Sequence, residues 1–263
     1  MSTLDTIPEK RIDLLHEYIL RLADDRLILG QRLSEWCGFG PELEEDLALA
    51  NMALDLIGHS AALYELAAEI SGAEDRDEDY YAYFRDDIDF KNLKICELPI
   101  GDFAFTIARQ FLFSTYSYFL YNRLLEEGAE EFRGILSKHF KEIKYHLRHS
   151  REWILRLGDG TDKSHKRLQD AIDYIWMYTG EFFDTDEADQ KAIEAGIGIN
   201  PESFYNDWKK LIVETLEEAT IEVPDFDQYM QEGGRQGFHT EHLGNLLAKM
   251  QFLRRSYPDA VWK

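Results

Sequence analysis

Basic residues are scarce in this sequence: 29 Lys and Arg stand against 51 Asp and Glu, a formal net charge of −22 over 263 residues. Such a surface repels the phosphates of nucleic acid and the anionic leaflet of a membrane, so neither is an expected partner. Cysteine is scarcer still. Only Cys37 and Cys96 occur, without CxxC or CxxH spacing, which excludes a disulfide framework and a zinc set and leaves two buried, reduced thiols as the expectation. The first residues lack a basic-then-apolar signal pattern, and no apolar run is read as reaching membrane-spanning length, so a cytoplasmic chain is expected. A Gly-rich phosphate loop, a GxSxG elbow and a Cys–His nucleophile pair are all missing.

What is present is helix. A hydrophobic share of 44% with 13% aromatics belongs to a packed protein, and no stretch alternates with period two. Residues 1–8 read as a loose tail. Leu15, Ile19, Leu22, Leu29, Leu33 and Trp36 recur at helical spacing until Gly38. Pro41 suits the first position of a second helix, whose expected core stripe is Leu47, Ala50, Leu54, Ile57, Ala61 and Tyr64, ending near Gly72. After an acidic connection with a short helix at Asp79–Arg85, Asp102 caps a third long helix that is apolar almost all round, and therefore buried on every side. A fourth runs from about Ala129 to Leu157. Thr161 caps the next, and further helices follow at Glu202–Thr220 and from Leu243 onward. The pattern predicts one all-α domain: a helical bundle core at about 10–157, with additional C-terminal helices at about 161–257.

Two stretches carry candidate metal chemistry. Bundles that hold two irons use Glu-x-x-His from two helices and a lone Glu from each of the others. Here Asp55 precedes His59, and Glu142 precedes His146, by four positions rather than three; Gly58 and Tyr145 stand where histidine belongs. Each acid still shares a helical face with its histidine. The third long helix has no acid between Phe103 and Leu125, and its central polar residues are Arg109 and Gln110. The first helix offers Asp24, Asp25 and Glu35 without singling one out. The set Asp55, His59, Arg109, Glu142, Tyr145 and His146 therefore reads as a vestigial metal site with no metal ligands in use. A buried acid would need another cation, and Arg109 is the candidate for the vacated centre. The other open reading is that both acids face solvent.

Longer blocks then match a known family. Gln31 to Gly38, Pro41 to Glu44, Asp46 to Asn51, Tyr145 to Arg148, Arg156 to Asp162 and His239 to Gly244 resemble the C subunit of the bacterial phenylacetyl-CoA epoxidase, a ring-1,2-phenylacetyl-CoA monooxygenase. The likeness runs from about Tyr18 to Tyr257. It implies a ferritin-like fold and a place in phenylacetate catabolism. It also implies that this subunit is non-catalytic, without cofactor of its own, bracing a homologous A subunit that carries the di-iron site and works with oxygen and a reductase. The rival reading is an oxygenase with iron at Asp55, His59, Glu142 and His146.

Lys141, Lys144, Arg148 and Arg151 make a basic stripe that can dock an acidic redox partner or coenzyme A phosphates; compensation by the chain's own acids is the plainer reading. His239 and His242 open the last helix behind the cap Thr240, where a structural role outweighs metal binding. An obligate partner surface commonly exceeds about 2,000 Å², so the chain alone is expected either to self-associate, as a homo-oligomer, or to behave poorly in solution.

Overall fold

The computed structural model describes residues 9–260, and every described element is helical; the tail expected at 1–8 lies outside them. Helix α1 (Glu9–Ser34) turns at Gly38 and is followed by α2 (Leu43–Ser71). The two cross closely at Gly30, where a Cβ would come within 2.9 Å of Ile57 Cγ1 and 3.2 Å of the Ala53 carbonyl. Short α3 (Glu78–Tyr83) and two 3₁₀ turns fill the connection to α4 (Phe103–Glu127), which pairs with α5 (Glu130–Gly158). Asp102 accepts the Phe105 N–H as the cap of α4.

Cross-helix contacts fix the directions. Asp24 meets Tyr64 between α1 and α2, and Tyr118 stacks on Phe140 between α4 and α5. His59 stacks on His139 between α2 and α5, and Arg26 reaches Ser117 between α1 and α4. Helices α1 and α5 thus run one way, α2 and α4 the other, with the single long crossover between α2 and α4 that defines a ferritin-like bundle.

The C-terminal helices explain why α4 is apolar all round. Against it pack α6 (Asp162–Ile175) and α8 (Tyr205–Glu218), with α7 (Glu187–Glu194) lying on α1. Tyr116 stacks on Phe182 at 4.4 Å, and Phe105 lies 5.8 Å from Tyr174. The last helix, α9 (Glu241–Ser256), packs on α3. It starts where Thr240 accepts the His242 N–H.

The expected stripe of α2 is not the buried one. Leu47 is 56% exposed and Leu54 67%, and of the six residues only Tyr64 is buried. The core face is Leu49, Met52, Ala53, Leu56, His59, Ser60, Leu63 and Ala67, with Tyr64 and Ile70. Two apolar faces share this helix, and His59 and Ser60 disguise the inner one. The helix also begins later than expected: Glu42 is its N-cap, so Pro41 lies outside it, while Gly72 ends it at φ +61°. By length and composition α2 is apolar enough to cross a membrane, against the expectation from sequence. Its inner face instead lines the bundle core. Cys96 is buried as expected, but Cys37 is exposed.

Candidate functional site

The i, i+4 spacing does bring the two candidate stretches face to face, but in a different set of pairs. His146 Nε2 lies 3.1 Å from Asp55 Oδ2, and Glu142 Oε2 lies 2.6 Å from Nδ1 of His139, one turn earlier on α5. The His59 and His139 rings stack at 4.3 Å, inclined by 8°. His59 Nε2 is 3.2 Å from the Tyr121 hydroxyl. Burial, and then the Arg26 charge, hold His59 well below its ordinary pKa, so it is neutral at physiological pH. Asp55 and Glu142 are thus half-buried and tied to histidines. They neither face solvent freely nor meet Arg109.

Arg109 is placed elsewhere. Its guanidinium donates to the Leu98 and Pro99 carbonyls, while Nε and Nη2 have no partner. Burial, reinforced by Arg32, pushes its pKa down to about 10. The reason is rotation: successive residues on a helix diverge by about 100°, so Gln110 faces the bundle centre and Arg109 faces the crossover.

The cation at the centre is Arg26 of α1, wholly buried. It donates to the Leu22 carbonyl at 3.1 Å and to Ser117 Oγ at 3.4 Å, and lies over the Tyr121 ring. Around it is a cavity of about 10 Å³ lined by Leu56, Gln110, Phe113, Ser114, Ser117, Ile143 and His146. That holds about one water.

The acids of α1 are engaged mainly outside this centre, and only Asp25 touches it, 3.4 Å from Arg26. Asp24 binds Arg85, the Tyr64 hydroxyl and the Lys91 N–H. Asp25 binds Arg235 and the Leu93 N–H, and Glu35 binds Arg32. At the two i+3 positions, Gly58 and Tyr145 both face outward. No group of three or more His, Cys, Asp or Glu among the described residues is arranged to hold a metal. A cation, a glutamine and two serines occupy the space where a di-iron centre requires carboxylates, so these residues do not fit that group.

Of the basic stripe, Arg151 is engaged by Glu218 at 2.7 Å and Thr215 at 3.0 Å. Lys141, Lys144 and Arg148 are exposed, with no carboxylate in ion-pair range among the described residues. His239 is structural: Nδ1 lies 2.6 Å from buried Glu97 and Nε2 3.0 Å from the Phe90 carbonyl. Sequence reasoning missed Arg26, Tyr121 and His139. The signal available was His139, three residues before Glu142, on the same helical face.

The profile of the family described as "Phenylacetic acid catabolic protein" matches residues 1–262. The chain belongs to this family. It is 46% identical over 248 residues to the C subunit of the 1,2-phenylacetyl-CoA epoxidase of Escherichia coli (strain K12), a match covering 94% of this chain and 99% of that protein. Identity at that level across nearly the full length of both chains carries the helical, ferritin-like architecture with it.

Proposed function

We propose that this chain is a non-catalytic structural subunit of a multicomponent oxygenase that epoxidises the ring of phenylacetyl-CoA in phenylacetate catabolism. It braces a homologous catalytic A subunit that holds the two irons, in an assembly that draws reducing equivalents from a reductase. The observation that carries this reading is the Arg26 guanidinium at the bundle centre, with Gln110, Ser114 and Ser117 where α4 of an iron-binding bundle would present an acid. A fixed positive charge there opposes a dication. The likeness to an epoxidase subunit supplies the reaction. Lys141, Lys144 and Arg148 give an otherwise acidic surface a place for an acidic reductase or for coenzyme A phosphates.

Elemental analysis tests the reading, on the chain produced with iron and purified alone, then with its cognate A subunit. Absence of iron in the chain alone, with about two irons per heterodimer and both subunits eluting together, is the expected outcome. Stoichiometric iron in the isolated chain would overturn it.

A further inference from the structure

The outward face of α2 is not merely apolar; it is periodic. Leu43, Leu47, Ala50, Leu54, Ile57 and Ala61 are separated by four, three, four, three and four residues. That alternation is the seam of a helix packed on another helix, with large and small side chains forming knobs and holes. Ile57 borders α1 at Gly30, and Ala50 and Ala61 are half-buried, but the large outer side chains are uncovered: Leu43, Leu47 and Leu54 are exposed, and a Cβ built on adjacent Gly58 meets nothing within 4 Å.

The charges beside the seam select the occupant. Glu44 and Glu65 flank it on the exposed side, about 30 Å apart at 1.5 Å per residue. Neither has a basic partner in ion-pair range among the described residues. A second copy in antiparallel register would bring Glu44 against Glu65. In parallel register each exposed Glu44 would lie beside its own copy, and each Glu65 likewise, so both pairings oppose like charges. An anionic bilayer is repelled for the same reason. We propose that this face seats a helix from a different subunit of the assembly, one with an apolar 4-3 seam and a Lys or Arg toward each end. The inference rests on the proposed role as a structural subunit and adds which surface does the bracing.

The test is the double variant Leu47→Asp/Leu54→Asp, purified with the full set of cognate subunits. Both side chains are exposed, so far-UV circular dichroism and Tm of the isolated variant should match wild type. Binding to the partner subunit should weaken by at least about 30-fold for each seam leucine that acts as a central contact. Phe252→Asp, an equally exposed site on α9, should leave binding unchanged. Wild-type affinity in the double variant would overturn the assignment of this face while leaving the structural-subunit reading intact. Failure of the wild-type chain to bind any cognate subunit would overturn both. A variant that abolishes only self-association would show that a second copy sits here, and would also overturn the proposal.

Discussion

The guanidinium carbon of Arg26 lies 4.7 Å from the centre of the Tyr121 ring, in the middle of the four-helix bundle. Its nearest acid, Asp25 at 3.4 Å, does not depend on it, because Asp25 also receives Arg235 at 2.9 Å and the Leu93 N–H at 2.8 Å. Arg26→Met should therefore keep stability within about 1.5 kcal/mol of wild type, since similar volume is retained and no acid is stranded. Asp25→Ala is the opposite case. It leaves Arg26 and Arg235 buried without their carboxylate and should cost about 3–5 kcal/mol. Urea unfolding of the two variants, read as midpoints at constant slope, checks the asymmetry.

His59 makes the fold sensitive to acid. Its pKa is depressed by burial and by Arg26, with His139 and His146 adding to the effect; Glu142 and Asp55 are held by those two histidines. A histidine with a lowered folded pKa binds its proton more readily when unfolded. Its contribution is therefore fully present above the unfolded value near 6.5 and is lost as pH falls below it. The slope attributable to this residue approaches about 1.4 kcal/mol per pH unit. His59→Gln should flatten the fall in stability between about pH 6.5 and 5, measured by denaturant titration. An unchanged slope would mean that His59 titrates normally.

Glu97 anchors the approach to α9. Fully buried, it accepts from His239 Nδ1 at 2.6 Å, the Thr240 N–H at 2.7 Å, Thr240 Oγ1 at 2.6 Å and Asn92 Nδ2 at 2.9 Å. Glu97→Ala removes the acceptor from four donors and should cost about 3–5 kcal/mol. Opening should begin locally, so limited proteolysis is expected to cut near residues 231–240 before the bundle yields. Cleavage elsewhere first would contradict that order.

Legibility in the sequence followed the kind of signal. The stripe of α1 and the caps Asp102, Thr161 and Thr240 were readable because each rests on local chemistry. Helix α2 misled because it carries two apolar faces, and periodicity finds a face without saying what covers it. The seam from Leu47 to Ala61 is real, but its leucines point out of the molecule. The missing carboxylate on α4 was visible by inspection, whereas the replacing cation was not. Choosing between Arg26 and Arg109 needs the rotation of both helices about their axes, which no spacing within one helix supplies.

Arg109 gives the sharpest contrast with a site-filling cation. Its partners are the neutral carbonyls of Leu98 and Pro99, and two of its nitrogens have none. Removing it strands no acid. It leaves the Leu98 carbonyl short of a donor, a loss of about 1–3 kcal/mol, while relief of an unpaired buried charge acts in the other direction. Arg109→Met should thus fall within about 2 kcal/mol of wild type. Because the folded pKa is lowered only to about 10, the residue is charged in both states at neutral pH, and the difference should stay flat from about pH 6 to 9. A loss beyond about 3 kcal/mol, or one that grows as carboxylates ionise, would mean that an acid in the core depends on Arg109 after all.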